Sequence, residues 1–331
     1  MTDRKGEERM CTAVMYRDRY FGRNLDVEAS YGENVTVTPR NFVFEFRKAG
    51  ILKRHYAMIG VAHIAEGYPL YYDAVNEKGL GMAGLNFPGN AVYRPCSEGM
   101  DNIAPFELIP WILGSCADAE EARELLKRIN IADIPFNDRL GLHPLHWIIA
   151  GRGGAVAVES VSEGLKIYDD PPGVLTNNPV FSYHMQNLNN YINLTAERPE
   201  NRFSDKLELS EYGTGMGAIG LPGDLSSPSR FVRAAFVRAN SVHGNTEAES
   251  VSQFFHILGS VWQPRGCSRA ENGGYEYTLY SSCCDTDKGI YYYKTYENSR
   301  VTGVDMYRED IDGDRIVSYP LIHEPNIHMQ N

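Results

Sequence analysis

The chain is short of basic charge. Its 331 residues carry 32 lysines and arginines against 43 aspartates and glutamates, a net charge of −11. With no basic run to offset that balance, a nucleic-acid partner is excluded. No apolar run approaches the roughly 20 residues that a membrane-spanning helix needs, so no membrane partner is expected. The opening decapeptide, MTDRKGEERM, is charged and lacks the apolar centre of a secretion signal. A cytoplasmic location is therefore expected. Cysteine is sparse: six residues, at 11, 96, 116, 267, 283 and 284, with no C-x-x-C and no zinc-like spacing. Neither a disulfide framework, nor a metal site, nor a cofactor is expected, and in a cytoplasm these thiols stay reduced. Internal repeats and low-complexity tracts are also lacking.

What is present suits a single large α+β domain. The chain is 43% hydrophobic and 11% aromatic, enough for a substantial core. Residues 11–25 alternate like one strand, with Ala13 and Met15 on one side. Val35 to Arg47 and His55 to Ile64 also read as strand. Tyr71 to Phe87 reads as a hairpin about Asn76-Glu-Lys-Gly, and its glycine-rich second arm permits close approach of another backbone or a ligand. Helices are expected from Pro105 to Leu113, after Asp118, after Ser227 as N-cap with Pro228 first in the helix, and from about Ala248 to Val261. Further strands are expected over 145–161, 165–168 and 275–306. Residues 185–219 form a polar excursion, and so long a loop is expected to be functional, here as a subunit contact. The order of strands and helices argues for stacked layers rather than β-α-β alternation. Residues 1–10 read as a leader or an upstream-start extension that is removed, and 11–331 as the folded domain.

The stretch Met10 to Asp26 carries the first chemical suggestion. If Met10 is removed, Cys11 bears an α-amine and a thiol on one residue. Their reference pKa values, about 8 and about 8.5, are nearly matched near neutral pH. The amine can then take the thiol proton and return it to a leaving amine. Arg23 and Asp26 follow, although at a separation of three they could equally form a surface ion pair worth about 1 kcal/mol or less. Arg230, in the first turn of its expected helix, works against the helix dipole, which invites a functional reading. Asn86 and Asn177 could each be simple turn residues. His143, His146 and His184 lack metal-like grouping with carboxylates and read as structural.

Six segments, in order, carry a resemblance: MCT at 10–12, FGRNLD at 21–26, NEKGLGMAGLNFP at 76–88, GVLTNNP at 173–179, GLPGDLSSPSRF at 220–231 and KGIYYYKTYEN at 288–298. Together they resemble the choloylglycine hydrolase family, which contains bile salt hydrolases and penicillin V acylases. The resemblance implies an N-terminal nucleophile hydrolase: a four-layer αββα sandwich of two antiparallel sheets, often tetrameric. It also implies roles. Cys11 is the nucleophile and its α-amine the base; Arg23 lies beside the nucleophile; Asp26 holds the amine. Asn86 and Asn177 form the oxyanion hole, and Arg230 is the family's active-site arginine.

The resemblance further implies the substrate. Asn86 in its Asn-Phe-Pro setting agrees with bile salt hydrolases, so the expected substrate is a glycine- or taurine-conjugated bile acid. Its apolar body would be lined by Met15, Ile64, Phe136 and Leu140. The segment Gly213, Thr214 and Gly215 resembles versions that favour glycine conjugates. The alternatives are a penicillin V acylase, another N-acyl amide hydrolase or acyltransferase, and, should the leader be retained, a ligand-binding protein without catalysis.

Overall fold

The computed structural model describes residues 10–270 and 273–331. Residues 1–9, most of the expected leader, lie outside the described residues.

Two antiparallel sheets stack face to face. The first, of six strands, runs in the order Val174–Leu175, Cys11–Tyr16, Tyr20–Val27, Tyr277–Asp285, Ile290–Thr295 and Thr302–Asp305. The second, of eight, runs Gly164–Asp169, Gly154–Val161, Leu145–Gly151, Gly81–Asn86, Tyr68–Asn76, Met58–Ala65, Glu33–Thr38 and Val317–Pro320. The inner faces share a core in which Ala13, Phe21, Tyr280 and Tyr291 of the first sheet join Val35, Val61, Leu85 and Ile148 of the second. The outer face of the second sheet buries Met82, Trp147 and Val158 against the helices Leu108–Ser115 and Ala119–Leu126. Helices Phe181–Leu188, Ser227–Asn240 and Glu247–Gly259 cover the first sheet through Phe181, Phe231 and Phe254. This is the expected αββα sandwich.

The single strand expected over 11–25 is instead a hairpin. Cys11–Tyr16 pairs with Tyr20–Val27, so that Cys11 faces Leu25 and Ala13 faces Arg23. The turn places Arg17 and Asp18 at φ 55° and 51°. Glycine or asparagine usually announces such a turn, and neither is present. The reversal is what returns Arg23 and Asp26 to the start of the chain. The expected N-cap also moves: helix 227–240 is preceded by Ser226, which makes no side-chain cap bond, and Ser227 is already helical. The hairpin about 76–79 forms as expected, between Tyr68–Asn76 and Gly81–Asn86. Its glycines serve sheet packing, since a Cβ on Gly81 would lie 2.5 Å from the Phe21 ring across the interface.

Backbones approach still more closely at Gly22, where a Cβ would lie 2.0 Å from the Ser282 carbonyl oxygen. Neither backbone can yield without breaking the pairing of the two central strands. Gly22→Ala is expected to cost about 3 kcal/mol or more. Thermal unfolding alongside Gly141→Ala, where a Cβ meets nothing within 4 Å, checks this: the first variant should melt far lower and the second near the parent.

Candidate active site

Cys11 opens the first strand and is 2% exposed. Cross-strand partners share a face, so the hairpin register sets Cys11 and Arg23 on the side that meets the second sheet. Arg23 is fully buried and spans the gap, its Nη1 donating to the carbonyls of Tyr72 (2.9 Å) and Gly84 (2.6 Å). Its neighbour Asn24 points the other way, donating to Leu258 of the helix layer. A surface ion pair between Arg23 and Asp26 is thereby discarded. Both are fully buried, and an odd separation on a strand sends their side chains to opposite faces.

Asp26 sits at the end of the returning strand. Its Oδ1 accepts from the Thr278 hydroxyl at 2.7 Å, while its Oδ2 is buried without a hydrogen-bond partner among the described residues. An unpaired buried carboxylate oxygen is costly. Burial pushes the Asp26 carboxyl up to about 6, against the pull of Arg230, the Thr278 bond and Arg23. Its backbone N–H donates to the Met10 carbonyl oxygen at 3.0 Å. Burial likewise raises the Cys11 thiol; Arg23 pulls it down, the Asp26 charge pushes it up, and the Asp26 backbone N–H and Arg230 pull it down again.

Asn177 and Arg230 close the site from the helix side. Asn177 Oδ1 accepts from the Cys11 nitrogen at 2.7 Å and from Arg230 Nη2 at 2.8 Å, and its Nδ2 donates to the Asn86 carbonyl at 2.8 Å. Arg230 also donates to the Cys11 carbonyl, to Thr12 Oγ1 at 2.7 Å and to the Leu225 carbonyl at 3.0 Å. Its placement against the dipole is thus explained, because its guanidinium turns back from the helix onto the Cys11 carbonyl and Thr12. Asn86 ends its strand opposite Leu145, 7% exposed. Asn178 and Asn90 tie the two asparagine segments together: Asn178 donates to the Pro88 carbonyl, and Asn90 donates to Asn178 Oδ1.

Arg23, Asp26, Asn177 and Arg230 thus gather about Cys11, and Asn86 joins them through its carbonyl bond with Asn177. The sequence matches the profile of the linear amide C-N hydrolases, choloylglycine hydrolase family, over residues 11–319. The chain belongs to the choloylglycine hydrolase family. It is 53% identical over 324 residues to a bile salt hydrolase/transferase of Lactiplantibacillus plantarum, covering 97% of this chain and 100% of that protein. It is 39% identical over 319 residues to a bile salt hydrolase/transferase of Clostridium perfringens, covering 94% and 96%. The crystal structure of a mutant conjugated bile acid hydrolase from Clostridium perfringens superposes with a TM-score of 0.88 at 37% identity, covering 98% of this chain and 100% of that one. Penicillin V acylase from Agrobacterium tumefaciens, at 17% identity and a TM-score of 0.72 over 93% and 90%, shares the fold.

The seven residues expected to contact substrate fall in several parts of the fold. Met15 is in the inner core, four residues along the strand from Cys11, and borders a cavity of about 510 Å³ with Asp170 and Arg238. Ile64 packs against the outer, helix-side cluster. Phe136 belongs to an aromatic group with Tyr68 and Phe106, capped by Arg47. Leu140 closes a turn on Asn137 Oδ1, its N–H donating at 2.8 Å. Gly213, Thr214 and Gly215 form an exposed turn.

Residue-by-residue reading passed over Thr12, Ser227, Thr278 and Glu276. Thr12 and Ser227 lie inside motifs already singled out, so adjacency could have flagged them. Glu276 lies in none. Its buried Oε2 accepts from the Met10 N–H at 3.2 Å, and burial together with the Asp26 charge pushes its carboxyl up to about 8. A carboxyl raised in the folded state favours folding below its unfolded pKa and loses that contribution as pH climbs through the folded value. In chains that retain Met10, stability is therefore expected to fall between about pH 4.5 and pH 8. Glu276→Gln should flatten that fall, which thermal unfolding of both proteins at pH 5 and pH 9 checks; equal slopes would refute it.

Proposed function

We propose that the chain hydrolyses the amide bond of glycine- or taurine-conjugated bile acids, through a thioester on Cys11, once Met10 has been removed. The observation that carries this reading is the convergence of Asn177, Arg230 and Asp26 on the Cys11 nitrogen and thiol. Identity of 53% to a bile salt hydrolase/transferase supports the substrate class. The start of the family match at residue 11 supports Cys11 as the first residue of the working enzyme.

With Met10 gone, the Cys11 nitrogen becomes an α-amine beside Asn177 Oδ1, and the unpartnered Asp26 Oδ2 can accept from it. The amine takes the thiol proton, and the thiolate attacks the amide carbon. Arg23 and Arg230 favour the thiolate electrostatically. Amide donors of Asn86 and Asn177 stabilise the tetrahedral oxyanion, a contribution typically worth about 10²–10³ in kcat for each donor. Collapse expels glycine or taurine, which leaves with the proton from the amine. Water then attacks the thioester, releasing the bile acid and restoring the thiol. An amine in place of water would give acyl transfer.

Met15, Ile64, Phe136 and Leu140 are proposed to line the steroid, and Gly213 to Gly215 to set the amino-acid preference. The working form is proposed to be a cytoplasmic homotetramer of one domain per chain. Exposed Ile192, Phe203, Tyr212 and Ile219 in the 185–219 excursion support assembly, because a monomer rarely leaves so much apolar side chain in water.

Glycine release from glycocholate, with penicillin V alongside, tests the function. Rapid release with little penicillin cleavage is expected; cleavage of penicillin V alone would overturn the substrate. Cys11→Ser should lose nearly all turnover while keeping the melting temperature. Asn177→Ala should lower kcat by about 10²-fold or more with a smaller change in KM. Wild-type turnover in the latter would remove Asn177 from the mechanism.

A further inference from the structure

Asn177 reaches three groups of the site with one carboxamide, so its backbone must be fixed. The main chain about it is held by buried side chains rather than by a strand ladder, for the strand it follows ends at Leu175. The Thr176 carbonyl accepts from His146 Nε2 at 2.8 Å. The Asn177 carbonyl accepts from His184 Nε2 at 2.9 Å. The Asn177 N–H donates to Ser227 Oγ at 2.8 Å, and that hydroxyl donates to Thr176 Oγ1 at 2.9 Å. Four residues on, the Phe181 N–H donates to Glu159 Oε1 at 2.8 Å, the same oxygen that meets His146 Nδ1 at 3.1 Å.

Both histidines are fully buried and have an aromatic ring behind them. His146 stacks on Phe87 with centroids 4.2 Å apart and planes within 5°, and His184 stacks on Phe231 at 4.8 Å. Phe87 adjoins Asn86 in sequence, and Phe231 adjoins Arg230. Each stack therefore links the held segment to another residue of the site. Burial pushes the His184 ring down to about 4, keeping it neutral at ordinary pH with its N–H on the nitrogen that faces Asn177. A fixed donor of this kind suits holding, not proton transfer.

We propose that His146, seated on Glu159, and His184 are positioning residues that fix the Asn177 backbone so that its carboxamide meets the Cys11 nitrogen and the reacting carbonyl. The proposal rests on the reading that Asn177 acts in the reaction. It gives two structural histidines and a buried carboxylate a place in turnover without contact with substrate.

The test uses His184→Phe, which keeps a ring on Phe231 but removes the N–H, and His146→Gln against His146→Leu, where only glutamine can still donate to Thr176. Hydrogen exchange by mass spectrometry reads positioning without any need for activity. The amides of Asn177 and Phe181 should exchange at least tenfold faster in His184→Phe and His146→Leu, with less change in His146→Gln and in the rest of the sheet. In turnover of a conjugated bile acid, kcat should fall about tenfold or more with KM within about twofold. The same substitutions placed in Asn177→Ala should change kcat by less than about twofold. Effects that multiply undiminished in that background, or unchanged exchange over 176–181, would overturn the proposal. Should His146→Leu fail to fold, His184→Phe carries both measurements. Should the parent enzyme cleave no amide, the functional reading falls, while exchange still decides whether the histidines hold the segment.

Discussion

The site depends on burying charge where the two sheets and the helix layer meet. Arg23, Arg230 and Asp26 are all fully buried, and each would be expensive without partners. The two cations are held by carbonyl oxygens: Tyr72 and Gly84 for Arg23, Leu225 and Cys11 for Arg230. Thr278 satisfies one Asp26 oxygen, and the other has no hydrogen-bond partner among the described residues. The Asp26 backbone N–H meets the Met10 carbonyl, at the peptide bond between Met10 and Cys11. Under the proposed activation, loss of the chain up to Met10 would supply an aminium at Cys11, which would favour an ionised Asp26. Activation and stabilisation of the site are in this view one electrostatic event.

The fold serves this by register. Turning at Arg17 and Asp18 sets Ala13 against Arg23, and Phe21 then keys into the space above Gly81. A slip of one residue would exchange Arg23 with Asn24 between the inter-sheet space and the helix layer. The other half of the site is held differently. The short strand at 174–175 ends just before Asn177, and His146, His184 and Ser227 take over its backbone bonds. Precision on one side comes from a sheet ladder and on the other from buried polar side chains, each fully engaged on the face it turns to Asn177.

Much of this was legible in the sequence because motifs carry chemistry in order. Cys11, Arg23, Asp26, Asn86, Asn177 and Arg230 stand in the segments that carry the family resemblance, and the layered architecture follows from the order of strand and helix signals together with that resemblance. The hairpin was missed because its turn contains Arg and Asp where Gly or Asn would give a signal, so periodicity ran on through it. The cap at Ser227 was misread because Ser226-Ser227-Pro228 offers two hydroxyls, and tertiary bonding to Asn177 claims the second. His146 read correctly as a core residue, yet its partner Glu159 is 13 residues away on the adjoining strand, a distance over which sequence gives no pairing rule. Glu276 carries no local signal at all, since its importance arises only from the approach of Met10.

The central claim is that the α-amine of Cys11 is the working base. Intact mass and glycocholate turnover measured on the same preparations test it most directly, using preparations that differ in how completely Met10 has been removed. Turnover should rise in proportion to the fraction of chains that begin at Cys11 and approach zero where Met10 is retained. Full turnover by chains whose mass still includes Met10 would contradict it.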